Sequence, residues 1–256
     1  RWNPTGEALR AAILGTVIIA LSLAMRVLPQ ALGIVARDAL MIFACGILYP
    51  LHRMKKAADF AGYGLSARRW PVALAVNLVL AILLAFVFMK EVPLPADFQP
   101  LAHGWEIAYI MLAGVFETIV FYAYIRTAFE RSFGLIAGII AAAAFYSLHH
   151  AGFQPEFSKL LFVGLMYALT YRLEGGALAI FPFFWGIGAT WDVLVQSEVV
   201  SEIAFPAGRS LALLSAFALA AILLAVTRTK KRVPEGGAIE SDSSMSTDDY
   251  GAIMKD

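Results

Sequence analysis

Apolar residues run along this chain in long unbroken blocks, not in the alternating or every-third-to-fourth spacings of half-buried strands and surface helices. Eight blocks stand out, near Ala8–Met25, Val35–Leu51, Pro71–Met89, Trp105–Ile125, Gly134–Phe153, Phe157–Leu173, Ala177–Gln196 and Ser210–Thr227. A bilayer's hydrocarbon core is about 30 Å thick and takes about 20 apolar residues of helix to cross. Each block meets that length or comes close. The pattern predicts an all-α polytopic membrane protein of about eight transmembrane helices. The second block is the least regular, because Arg37 and Asp38 sit at its N-terminal end. The first contains Arg10 and lacks a small-residue cleavage site ahead of a polar domain, so it reads as a span and not as a signal peptide. The Pro-rich loop Val92–His103 reads as an external connector, and no internal repeat of 20–50 residues is visible.

Composition sharpens this picture. Of 256 residues, 60% are hydrophobic and 15% charged, with a mean hydropathy of +0.73. Soluble domains have about half their residues apolar and about a quarter charged. The chain has too little polar surface for a water-soluble globule and too little charge for disorder over most of its length. A net charge of +1 gives no support to a nucleic-acid partner. A single cysteine, Cys45, excludes an internal disulfide, and with only four histidines it excludes a cysteine-rich zinc module.

Basic residues set the expected orientation. The loop after the second block holds Arg53, Lys55, Lys56, Arg68 and Arg69. Arg126 and Arg131 follow the fourth, Arg172 the sixth, and Arg228, Lys230, Lys231 and Arg232 the eighth. The alternate loops carry Glu91, Asp97, Glu106, Glu156, Glu198 and Glu202, with Arg26 and Arg37 as the exceptions. Eight spans with both termini cytoplasmic follow. The first 232 residues then form the transmembrane domain, and Val233–Asp256, rich in Ser, Gly and Asp, reads as a polar acidic cytoplasmic tail. The lipid bilayer is the partner this implies. Another membrane protein is the partner that would order the tail.

Ionisable groups at membrane depth are costly, so each is a candidate functional residue. Glu117 lies within the fourth block, His149 and His150 towards the end of the fifth, and Asp192 deep in the seventh. The fourth and fifth blocks read as an antiparallel hairpin turning near Ser132-Phe133-Gly134. Glu117 precedes that turn, and His149 follows it, by about 16 residues, or about 24 Å at 1.5 Å per residue. The two share a depth and can touch. Asp192, about 15 residues into its block, falls in the same layer. A carboxylate shielded from water is a competent general base or acid near neutral pH, and a neighbouring imidazole can orient a water or share its proton. Glu117, His149 and Asp192 are the candidate catalytic residues. His150 lies about 100° round the helix from His149, so the two are not expected to face one cavity.

Blander readings exist for each residue. A buried Glu–His contact can be an interhelical hydrogen bond worth about 1 kcal/mol. Asp192 beside Trp191 can be interfacial, and Arg37-Asp38 reads as a self-compensating interfacial pair. Trp185 and Trp191 read as core or belt residues. Gly134-x-x-x-Gly138 and the Ala141–Ala144 run read as close-packing surfaces. Glu117, His149 and Asp192 could make a three-ligand metal site. Adjacent histidines, however, do not supply the i, i+4 spacing usual on one helix, so the metal-free reading ranks above it, and no cofactor is called for.

At these residues the sequence resembles the CPBP family, the CAAX proteases and bacteriocin-processing proteins, also described as Abi or Ras-converting-enzyme-like. The family pattern is a Glu-Glu-x-x-x-Arg helix, then Phe-x-x-x-His, then His-x-x-x-Asn. Glu117-Thr118-Ile119-Val120-Phe121-Tyr122-Ala123-Tyr124-Ile125 resembles the first element, and Phe145-Tyr146-Ser147-Leu148-His149 matches the second. The resemblance covers about 105–196. It implies an eight-helix CPBP-like bundle, a location in the bacterial inner membrane, and intramembrane endopeptidase chemistry in which Glu117 and His149 activate water. Thr118 stands at the second Glu and Tyr122 at the Arg. The third element lacks its His. One register puts Gly188 and Asp192 at its His and Asn positions, and the other puts Trp185 and Ala189 there. In the family those two residues stabilise the oxyanion, and losing such a donor costs about two to three orders of magnitude in rate. Two functions stay open: a hydrolase with a degenerate site in which a protonated Asp192 assists, and a non-catalytic subunit of CPBP fold packed in a larger membrane complex. A transporter is a distant third, since no discontinuous helix pair or inverted repeat is visible.

Overall fold

The computed structural model describes residues 2–66, 69–96, 98–154, 156–196 and 203–226. Arg68, Asp97, Glu198, Glu202, the basic group at 228–232 and the tail Val233–Asp256 lie outside the described residues. Among the described residues there are helices, turns and connectors and no strand. One compact unit spans Arg1–Ala220. Of the second, Ala221–Asp256, only 221–226 are described.

Among the described residues six helices are long and apolar enough to cross a membrane: α1 (Gly6–Ala24), α2 (Gln30–Lys56), α3 (Trp70–Glu91), α4 (Gly104–Phe133), α5 (Leu135–Gly152) and α8 (Pro206–Val226). The remaining two predicted blocks are helical but fall short of that measure. In α6 (Phe157–Glu174), Lys159, Arg172 and Glu174 dilute the apolar run. The block at 177–196 is broken by Pro182, which N-caps α7 (Phe183–Trp191). A π-type segment, Asp192–Gln196, continues from α7.

Helix α4 is the centre of this unit. In its most apolar window 67% of residues are buried, against 17% in α3 and in α8. Six successive residues, Val120 to Ile125, have no exposed surface at all. A helix that is apolar all round buries every face, and here neighbours supply each one. Helices α1, α2, α5, α6 and α7 all pack on it. The first α-helical part of α4 ends at Glu117, Thr118–Ile125 is wound as a wider π-helix, and α-helix resumes over Arg126–Phe133. Its exit is marked by the Arg126 N–H bonding back five residues to the Phe121 carbonyl. Helix α2 has a similar wide segment, Ala36–Leu48, ending where Pro50 removes a backbone donor.

Small residues set the closest approaches. A Cβ on Gly46 would lie 1.8 Å from the Phe116 ring, and one on Gly138 would lie 2.8 Å from the Arg126 carbonyl oxygen. Gly138 is thus a packing residue, as its spacing predicts. Gly134 is not: nothing lies within 4 Å of its added Cβ, and its φ of +96° makes the α4–α5 turn instead.

Polar anchors fix the two ends. At one, Glu7 at the start of α1 accepts from Arg53 Nη2 (2.6 Å) and from the Tyr124 hydroxyl (2.7 Å). At the other, Asp38 accepts from Arg209 Nε (2.6 Å) and the Tyr109 hydroxyl (2.6 Å). Asp38 therefore does not pair with Arg37. The helix carries adjacent residues to different faces, and Arg209 from α8 reaches Asp38 first.

Overpacking a filled core costs about 1–3 kcal/mol. We expect Gly46→Val to lower the thermal unfolding midpoint of the detergent-solubilised protein. Gly33→Ala, where nothing lies within 4 Å, should leave the midpoint unchanged or raise it.

Candidate active site

The site forms where three helix discontinuities meet. Glu117 is the last residue of the first α-helical part of α4, where the π-wound segment begins. His149 closes the α-helical part of α5, and His150 opens the 3₁₀ turn His150–Gly152 that ends that helix. Trp185 lies in the first turn of α7, just beyond the Pro182 break. All four are buried, at 6%, 1%, 7% and 3% exposure.

The helix end brings both histidines to one place. A carbonyl in the last turn of a helix lacks the usual backbone partner four residues on. The His150 N–H turns to the Ser147 and Leu148 carbonyls, which leaves the Tyr146 carbonyl for side chains. His149 Nδ1 lies 2.5 Å and His150 Nδ1 2.8 Å from that oxygen. Both rings fold back over the helix terminus, with centroids 3.9 Å apart. The expectation that adjacent histidines diverge by 100° holds within a helix and fails at its end.

This geometry fixes the tautomers. A carbonyl oxygen only accepts, so each imidazole donates from Nδ1 and, when neutral, keeps a lone pair on Nε2. Those two Nε2 atoms face Glu117 Oε1, at 3.4 Å from His149 and 3.7 Å from His150. The other carboxylate oxygen, Oε2, accepts from Trp185 Nε1 at 2.9 Å. Aromatic rings wall the cluster: Phe121 lies 4.6 Å from the His149 ring, and Phe153 lies 5.2 Å from the His150 ring.

Compared with known proteins, the chain matches no family model, no curated protein and no solved structure. Its chemistry is therefore read from its own residues.

The structure brings together two of the predicted catalytic residues, Glu117 and His149, and adds His150, which was not expected to share their cavity; the ligand atoms of the three all lie within 4.8 Å of one another. It does not bring Asp192 to them. The carboxylate of Asp192 is held by Lys159 and Gln154 at the start of α6. The depth argument counts along an unbroken helix from Ala177, whereas the helix begins only at Phe183, so Asp192 is carried to a different neighbour. The three-ligand set Glu117, His149 and Asp192 is not assembled either.

Two site residues escape the sequence reading. Trp185, taken as core or belt, donates to Glu117. The register that sets Trp185 at the place of the third-element histidine is the signal that pointed to it. Arg37, taken as half of an interfacial pair, lies over the rings of Phe153 (4.9 Å) and Tyr109 (5.4 Å). Its charge reaches Glu117 and both imidazoles. Its Nε is buried and has no hydrogen-bond partner among the described residues, and the same holds for the hydroxyls of Thr118 and Tyr122. No local pattern marks an arginine for this position. Only the wide turn of α2 delivers it.

Hydrogen bonds to charged acceptors are worth about 1.5–3 kcal/mol. We expect Trp185→Phe and Glu117→Ala to be strongly non-additive in a double-mutant cycle of unfolding stability, with a coupling of about 0.5–3 kcal/mol. Additive effects would show that the Trp185–Glu117 bond contributes nothing.

Proposed function

We propose that this chain is an integral membrane hydrolase of CPBP type that cleaves peptide bonds within or beside the bilayer. In this reading all eight helical blocks lie in the membrane of a bacterial cell, and both termini are cytoplasmic. The observation that carries it is the buried approach of Glu117 Oε1 to His149 Nε2 at 3.4 Å, between helices long and apolar enough to cross a membrane.

The chemistry follows from the lone pairs. Oε1 and the Nε2 atoms are all acceptors, so a water placed among them donates one proton to the carboxylate and one to an imidazole. Its own lone pair then points away from the cluster, towards a substrate carbonyl. Attack forms the bond from water oxygen to carbonyl carbon as Glu117 takes the proton. The C–N bond then breaks as that proton passes to the leaving amine. Trp185 holds Oε2, so Oε1 remains the basic oxygen. Arg37 supplies the positive charge for the developing oxyanion, a role that the ion-paired Asp192 does not fill.

A second reading is a non-catalytic subunit of the same fold that binds another membrane protein through its acidic tail. It is favoured by the third element, where either register puts a residue other than histidine (Gly188 or Trp185) at the histidine place of the resembling family, and by the engagement of Asp192 with Lys159.

The test compares membrane-protein N-termini in cells carrying the wild type, Glu117→Gln or His149→Ala. We expect a set of cleavage products present with the wild type and absent with either variant at equal protein levels. Arg37→Met should lower their yield by about two to three orders of magnitude. Identical N-termini in all four strains would leave the subunit reading.

A further inference from the structure

We propose that Glu117, His149 and His150 form a three-ligand site for a divalent transition-metal ion, of which zinc is the best fit. The inference rests on reading this cluster as a hydrolytic site and changes what Glu117 does there, from base to ligand.

At this cluster the acceptors outnumber the donors. Three lone-pair atoms converge: Oε1 of Glu117 and Nε2 of each histidine. Both imidazole protons are committed to the Tyr146 carbonyl, and the Trp185 N–H is committed to Oε2. No donor on these side chains is left for the converging atoms. Buried acceptors facing one another are unfavourable unless a donor or a cation lies between them. A water has two protons and answers two of the three. One extra proton would serve one Glu–His pair and leave the second imidazole lone pair unanswered. A cation answers all three.

The distances agree. Tetrahedral zinc binds nitrogen and oxygen at about 2.0–2.2 Å, which puts neighbouring ligand atoms about 3.3–3.6 Å apart. The two Nε2–Oε1 separations are 3.4 and 3.7 Å, already in or next to that range, and all three ligand atoms lie within 4.8 Å of one another, so the two imidazoles close towards each other on an ion. The outer contacts fit as well. Ligating histidines characteristically donate their other N–H to a carbonyl or carboxylate, and ligating carboxylates are themselves hydrogen-bonded. Tyr146 and Trp185 provide those contacts. Two histidines and one glutamate, with a fourth position left open, form a donor set used by catalytic zinc. Adjacent histidines lack the helical i, i+4 spacing, but the end of α5 removes that objection. Arg37 adds positive charge nearby, which the Glu117 carboxylate offsets. Its unpartnered Nε is suited to an anionic or polarised oxygen of substrate beside the ion.

The experiment uses the full chain, purified in detergent, stripped with a chelator and titrated with zinc(II) and with cobalt(II). We expect about one zinc per chain by elemental analysis and the visible absorption of four-coordinate cobalt. Glu117→Ala, His149→Ala and His150→Ala should each weaken binding at least about tenfold, while remaining monodisperse. His52→Ala, an exposed histidine elsewhere, should bind as the wild type does. His150→Gln, which keeps the side chain's bulk, should lose the cobalt spectrum even if His150→Ala fails to fold. A wild-type chain that binds neither ion, or binding unchanged by the three ligand substitutions, overturns the proposal. Metal binding by these ligands without any cleavage sustains the site and removes the hydrolytic reading. Cleavage by a stripped chain in excess chelator sustains the hydrolytic reading and removes the metal.

Discussion

The structure turns on one buried carboxylate. Glu117 sits near the middle of the most buried helix, walled by aromatic rings, where an unpartnered charge is very costly. Each neighbour answers that constraint. Trp185 gives one oxygen a hydrogen bond, two imidazoles face the other, and the Arg37 charge lies within reach. These groups come from α2, α4, α5 and α7, so the carboxylate also fixes how four helices meet. Gly114 serves the same end: a Cβ there would lie 2.5 Å from the Trp185 ring. Its bare backbone lets the indole reach Glu117.

Helix irregularities do the positioning. Glu117 precedes a π-wound segment, the histidines stand at a helix end, and Trp185 follows a proline break. π-Bulges gather at functional sites because they turn a side chain out of the regular helical register. Here they turn polar groups inward from helices that are otherwise apolar.

Much of this was legible in the sequence. The apolar blocks gave the helical class, and equal spacing from the Ser132–Gly134 turn put Glu117 and His149 at one depth. That inference needed only the rise of a helix and a tight hairpin. What failed were three inferences drawn from position along the chain alone. Asp192 was placed by counting through Pro182, His150 was turned away by a periodicity that stops at residue 149, and Arg37 was paired with its chain neighbour. Pairings of distant helices, such as Arg209 with Asp38, leave no local trace. Among the described residues six helices meet the length and hydropathy of a span, because charges dilute the block at Phe157–Glu174 and Pro182 breaks the block after it.

The central claim is that the Glu117 carboxyl and the His149 imidazole meet inside the membrane-spanning bundle. Solid-state NMR of the isotopically labelled protein in lipid bilayers measures this contact directly, through dipolar coupling between imidazole nitrogens and glutamate carboxyl carbons. The account predicts a measurable coupling to a single carboxyl, whose nearer oxygen lies 3.4 Å from His149 Nε2, and its loss in Glu117→Ala. An imidazole signal from residue 149 with no carboxyl coupling in a folded, bilayer-embedded sample would contradict it.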